Sequence, residues 1–188
     1  MHWYFLLGTS LLLTCQAAPT QSASAEPELS FPEQLAQQGI PLDSLWLLVD
    51  KSDYWLEVWY QDSALKRYSV VFGGDPVADK RMEGDQRTPE GTFSIRDAYP
   101  HAKWQYFLWI DYPTEASWEK HRAAKAAGEI PPDARVGGEI GIHGVPEGYD
   151  SAIRYRQTWT LGCVSLTSGD ITELYQLVGK GTKVVIIP

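Results

Sequence analysis

Residues 45–60 read LWLLVDKSDYWLEVWY, and this stretch sets the fold class. Leu45 to Val49 is an apolar run of strand length, Lys51-Ser52-Asp53 supplies turn residues, and Tyr54 to Tyr60 alternates. Successive strand side chains point to opposite faces, so Leu56, Val58 and Tyr60 share one face and Trp55, Glu57 and Trp59 the other. Downstream, Arg67 to Phe72 forms a third run closed by Gly73-Gly74. A polar loop follows from Asp75 to Arg87 and carries Lys80, Arg81, Glu83 and Asp85. Thr88-Pro89-Glu90-Gly91 is a turn, Thr92 to Ile95 starts another strand, and Tyr106 to Ile110 is an aromatic strand ending at Tyr112-Pro113.

The first helical pattern covers Trp118 to Ala127, with Ser117 as N-cap and Gly128 as stop. Glu139 to Ile142 and Leu161 to Leu166 read as strands. Thr167-Ser168-Gly169-Asp170 matches a capping box opening a helix through Val178 that stops at Gly179, and Thr182 to Ile187 is a β-branched final strand. Strands outnumber helices and no repeat occurs. The expectation is a mainly β fold, a sandwich or barrel, carrying two short α-helices.

Upstream, residues 1–18 contain a short apolar run, Phe5 to Leu13, too short to span a bilayer but of the length of a secretory signal's apolar region. The stretch before it has no Lys or Arg. Leu12-Leu13-Thr14-Cys15 resembles a bacterial lipoprotein signal, although Thr14 departs from the usual Gly or Ala. The alternative is cleavage near Ala17-Ala18 or Ala23-x-Ala25. Residues 16 to about 34 hold few apolar anchors and read as a tether that cannot offset its ordering entropy. The expected organisation is a signal over 1–18, a flexible linker over 19–43 and one domain over 44–188.

The net charge of −8 argues against a nucleic acid partner or attachment to anionic lipid, both of which need a basic surface. Membrane attachment would come through a lipidated Cys15. The chain has two cysteines, and removal or lipidation of Cys15 would leave Cys163 the only free thiol. A lone thiol in an oxidising compartment is a liability and asks for a reason.

Two stretches supply one. Ile140-Gly-Ile-His143-Gly144 and Thr160-Leu-Gly162-Cys163-Val-Ser-Leu166 each join a reactive side chain to glycine at the end of a β run. A thiolate is the reactive form of cysteine, and a neighbouring imidazole can take the thiol proton. Glycine admits substrate close to the backbone, and the N–H groups of Gly162 and Cys163 could hold an oxyanion. The plain alternative for each residue alone is a packed core Cys and a packed His. The remaining histidines, His101 and His121, lie in polar or helical contexts. No ligand cluster has metal spacing, so neither a metal nor another cofactor is expected.

The region 45–188 resembles the YkuD-type L,D-transpeptidase catalytic domain, whose hallmark is a His-Gly stretch followed by Ser/Thr-x-Gly-Cys-Ile/Val. Gly84-Asp85-Gln-Arg87-Thr88-Pro89-Glu90-Gly91-Thr-Phe93, Ile110-Asp-Tyr112-Pro113 and Asp170-Ile-x-Glu-Leu-Tyr175 also fit, as does the final Val-Val-Ile-Ile-Pro188. The resemblance implies that Cys163 accepts the acyl group, His143 is its base and the Gly144 carbonyl orients the imidazole. It also implies a partner, the peptidoglycan stem peptide, attacked at the L,D amide after its third residue, and a place in the bacterial periplasm or cell envelope.

Two departures bear on substrate. Most members carry His two residues before the Cys, where this chain has Leu161, and many carry Arg two residues after it, where this chain has Ser165. A branch without that Arg includes members that release peptidoglycan-linked lipoprotein. Alternation would put Ser165 on the same face as Cys163. Arg154, Arg156 and Arg87 are the candidates to bind substrate carboxylates instead. Trp104, Tyr106, Trp109 and Tyr112 are candidates for an aromatic wall, although alternation alone predicts such strands in a packed sheet. The rivals are a sortase-like transpeptidase, disfavoured because no Arg follows Cys163; a papain-like peptidase, disfavoured by its Cys-then-His order; and a catalytically dead peptidoglycan-binding domain.

Overall fold

The computed structural model describes residue 1 and residues 29–188; Cys15 and the candidate signal over 1–18 lie outside the described residues. Eight strands form one sheet in the order β3-β2-β1-β8-β4-β5-β6-β7. They are β1 (Leu45–Asp50), β2 (Trp55–Tyr60), β3 (Ser63–Ser69), β4 (Gly91–His101), β5 (Gln105–Ile110), β6 (Gly141–Gly144), β7 (Val164–Leu166) and β8 (Lys183–Ile187). The β1–β8 and β6–β7 pairs are parallel and the others antiparallel. Past β3 the chain bridges to the opposite edge, Val71 to Ser165 and Gly73 to Thr160, so the sheet nearly closes on itself. The mainly β reading holds, in its barrel-like form.

Alternation explains the core. Leu45, Leu47 and Val49 of β1 are buried, and Leu56 and Val58 of β2 join them beside Val184 and Ile186 of β8. Glu57 breaks the alternation because it is buried too: its carboxylate accepts from Arg67 Nε at 2.7 Å and from Trp59 Nε1 at 3.0 Å.

Four α-helices accompany the sheet among the described residues, not two: α1 (Phe31–Gln37), α2 (Glu115–Ala126), α3 (Ser151–Arg154) and α4 (Ser168–Leu177). The helix expected from Trp118 begins three residues earlier. Thr114, not Ser117, is the N-cap, and Ser117 donates its N–H to Thr114 Oγ1 at 3.3 Å from the third helical position. The Thr167 cap of α4 is as expected, with the Asp170 N–H on its hydroxyl at 3.1 Å.

The flexible linker expected over 19–43 does not extend to its C-terminal part. The Glu33 carboxylate accepts from the Ser30 N–H at 2.8 Å and Pro32 sits in the first turn of α1. Phe31 and Leu35 bury themselves in the core, where α1 packs on α4. No helix among the described residues is long and apolar enough to cross a membrane.

Candidate active site

The strands β5, β6 and β7 lie side by side, with His143 paired to Phe107 on one flank and to Ser165 on the other. A cavity of about 610 Å³ opens there, lined by His143, Cys163, Lys80, Trp104, Trp159 and Leu161 among others. The two residues singled out as base and nucleophile thus share one concave site.

His143 is buried and held from several sides. Its Nδ1 lies 2.7 Å from the Gly144 carbonyl oxygen; a carbonyl can only accept, so Nδ1 carries the proton and Nε2 keeps its lone pair. Trp104 stacks on one ring face at 4.3 Å, and Trp159 presents an edge-on contact at 5.5 Å. Trp104 also stacks on His101 at 4.3 Å, forming a three-ring column. Burial pushes the imidazole down to about 4, against the Gly144 hydrogen bond, which raises it; the His101 charge lowers it slightly further.

Gly144 must be glycine. A Cβ there would lie 2.7 Å from both Ile171 Cγ2 and the Trp104 carbonyl oxygen.

Cys163 is half-buried: the residue keeps some surface on the cavity, but its sulfur sits against protein atoms. Sγ donates to the Glu139 carbonyl oxygen at 3.5 Å. Burial raises the thiol to about 11, outweighing the Gly141 N–H and the Lys80 ammonium, which favour the thiolate; Glu139 opposes it. The resting site therefore holds a neutral thiol, turned to the Glu139 carbonyl, and a neutral imidazole on the same cavity, not an ion pair.

Before Cys163 the chain turns at Gly162, whose φ of 132° is open to glycine and strained for other residues. Thr160 locks this turn: its hydroxyl donates to the Cys163 carbonyl oxygen at 2.7 Å and accepts the Gly162 N–H at 3.2 Å. The Gly162 N–H, nominated for an oxyanion, is thus already engaged.

The candidate substrate-binding arginines, Ser165 and Tyr112 lie outside this cavity. Arg154 and Arg156 line a separate cavity with Tyr54 and Trp55, and Arg156 donates to the Asp53 carbonyl oxygen at 3.2 Å. Arg87 is paired with Asp75 at 2.7 Å and does not line the Cys163 cavity. Ser165 is fully buried, its hydroxyl without a partner, and it too is absent from the cavity wall. Strand geometry begins only at Val164, so alternation does not carry back to Cys163. Tyr112 lies in the core and donates to the Val136 carbonyl oxygen at 3.0 Å. Of the proposed aromatic wall only Trp104 lines the cavity; Tyr106 stacks on Tyr175 and Trp109 lies under Arg96.

Lys80 and Trp159 also line the cavity, although neither stands in a catalytic motif of the sequence. Lys80 sits in a polar loop like any surface lysine, and only the fold brings it here. Trp159 directly precedes the Thr160-Leu-Gly-Cys stretch, and that adjacency was the available signal.

A thiol and an imidazole with a free Nε2, in one cavity on a nearly closed mixed sheet, define a candidate cysteine–histidine site. The sequence matches the family model for the L,D-transpeptidase catalytic domain over residues 44–186, and the chain belongs to that family.

Solved structures agree in fold. The helical cell shape determining protein Pgp2 of Campylobacter jejuni matches in its K307A mutant with TM-score 0.57 and 22% identity, over 76% of this chain and 46% of that one. A further Pgp2 structure gives TM-score 0.55 and 21% identity, over 82% and 54%. Bd1075 of Bdellovibrio bacteriovorus gives TM-score 0.54 and 19% identity, over 77% and 48%. The chain thus spans about half the length of the solved chains it matches. No curated protein sequence matches it.

Proposed function

We propose that this protein is an exported L,D-transpeptidase of the bacterial cell envelope that attacks peptidoglycan stem peptides through an acyl-enzyme on Cys163. The observation that carries this reading is the shared cavity of Cys163 and His143, with Nδ1 of His143 tied to the Gly144 carbonyl so that Nε2 is left as a base. In the proposed reaction Nε2 takes the thiol proton as sulfur attacks the carbonyl carbon of the L,D amide. The Cys163 N–H supports the developing oxyanion. The proton then passes to the leaving amine, the C–N bond breaks and a thioester remains. An acceptor amine or water resolves the thioester, giving transfer or hydrolysis from one intermediate.

The hydrolytic outcome is the second reading. Its support is the absence of the Arg that many cross-linking relatives carry after the Cys, where this chain has a buried Ser165. That the fold neighbour Pgp2 is described as determining helical cell shape agrees with a role in wall remodelling. Attachment through a lipidated Cys15 belongs to the same proposal.

Incubation with purified muropeptides, followed by mass spectrometry, tests the reading and separates its branches. The expected result is loss of the terminal stem residue, with the acyl group on an amine or on water, and no turnover by Cys163→Ala. Full activity in that variant would sink the assignment, and a wild-type protein inert towards every muropeptide would favour a dead binding domain.

A further inference from the structure

The Arg missing after Cys163 leaves open which positive charge meets an anionic substrate. Ser165 cannot supply a contact, being buried away from the cavity, and Arg87, Arg154 and Arg156 lie outside it. Among the described residues, Lys80 is the only lysine or arginine lining the cavity that holds Cys163. It is 5% exposed, and its Nζ donates to the Met82 carbonyl oxygen at 3.0 Å and to Asp85 Oδ1 at 2.8 Å. An ammonium has three N–H bonds, so one is left over. The other charged groups on the wall are acidic: Glu83, paired with Arg135 at 2.7 Å, and Glu139, which is exposed.

We propose that Lys80 is the specificity-determining residue of this site, binding a carboxylate that flanks the amide attacked by Cys163. The assignment rests on the stem-peptide reading above and adds the residue and the substrate group. Two flanking groups share this chemistry: the side-chain carboxylate of the residue giving its carbonyl, and the C-terminal carboxylate of the residue leaving.

Lys80 is suited to the task by immobility. Asp85, which holds it, also accepts the N–H groups of Arg81, Met82 and Arg87 at 2.7, 3.0 and 3.1 Å, so little side-chain entropy remains to be lost on binding. The low local dielectric strengthens a contact made there. That the Lys80 charge acts on the Cys163 thiol agrees with its closeness to the reacting centre. The acidic groups on the wall repel a carboxylate from other seats in the cavity and so favour a single placement.

The experiment compares stem tetrapeptides carrying each flanking carboxylate either free or as its amide, turned over by the wild type and by Lys80→Met, Lys80→Gln and Lys80→Arg. Amidation of one carboxylate should lower wild-type kcat/KM about ten- to a hundredfold, mainly through KM, as loss of a charge-assisted hydrogen bond implies. The amide that loses activity identifies the source. In Lys80→Met and Lys80→Gln the acid-to-amide ratio should collapse towards one, and Lys80→Arg should retain it. Equal handling of all forms by the wild type overturns the assignment without any variant. So does a Lys80→Met or Lys80→Gln enzyme that slows acid and amide alike while keeping their ratio, since that is the behaviour of a loop staple. A wild-type protein that turns over no stem peptide counts against the proposed function instead.

Discussion

The resting state of Cys163 gives a prediction that separates this site from one with a preformed thiolate. Burial raises the thiol from an ordinary value near 9 to about 11 and lowers His143 from 6.5 to about 4. At pH 7 a thiol at about 11 is ionised about one part in ten thousand, against about one in a hundred for the ordinary group. Alkylation by iodoacetamide proceeds through the thiolate, so labelling of the folded protein at pH 7 should be about a hundredfold slower than that of an unhindered thiol. The rate should then climb about tenfold per pH unit towards pH 10. Muropeptide turnover should behave oppositely at its acid limb: the base stays unprotonated down to about pH 4, well below the ordinary histidine range. Labelling followed by mass spectrometry across pH 4 to 10 reads the first curve directly, with Cys15→Ala to leave one thiol. A fast plateau between pH 5 and 8 would mean a thiolate–imidazolium pair and refute the neutral-pair argument.

Three further outcomes are expected. Gly144→Ala puts a methyl group 2.7 Å from Ile171 Cγ2 and the Trp104 carbonyl oxygen, so stability should fall by about 1–3 kcal/mol in urea and turnover should drop with the displaced carbonyl. Leu35→Ala should cost about 2–5 kcal/mol, the range for a buried leucine, while kcat per folded molecule stays unchanged. Stability should also have two flanks in pH. Below 6.5 the unfolded chain protonates His143 while the folded chain does not until about pH 4, and above 9 the unfolded chain ionises Cys163 while the folded chain waits until about pH 11. Unfolding free energies from urea titrations should therefore fall as pH drops from 6.5 to 4 and again as it rises from 9 to 11, by about 3 kcal/mol each, and most of the acid loss should disappear in His143→Phe.

The strands and the chemical pair were legible because each is a local pattern. Alternation in residues 55–60 and apolar runs elsewhere dictate strands, and glycine beside His143 and Cys163 marks places where backbone must pass close to something else. Helix α1 was not legible, since seven residues with two buried anchors resemble a tether until α4 supplies the surface they cover. Arg154 and Arg156 lie close to Cys163 along the chain. The short α3 turns them instead onto the face beside Tyr54, where Arg156 lies 4.9 Å over the ring. Tyr112 lies in one of the family-like stretches, but its role is to close the core against Val136.

Lys80 shows why a cavity's charge is harder to read than its nucleophile. It lies in a loop whose composition is that of solvated surface, yet the loop is pinned at three polar centres, two of them built on buried lysines. Lys51 donates to the carbonyls of Val77 and Ala78, both at 3.1 Å, and to Glu90 at 2.6 Å. Asp79 accepts from Lys120 at 2.7 Å and from the Glu90 N–H at 2.9 Å. Asp85 closes the third around Lys80 itself. Removing one partner of a buried ion pair typically costs about 3–5 kcal/mol, so the centres built on Lys51 and Lys80 do not open readily. A cation fixed this firmly cannot follow a substrate and can only select one whose anionic group already fits. A flexible surface arginine would tolerate many anions. With Ser165 turned into the sheet where many family members carry an Arg, the proposed discrimination by charge rests on Lys80, the one lysine or arginine among the described residues that lines the cavity.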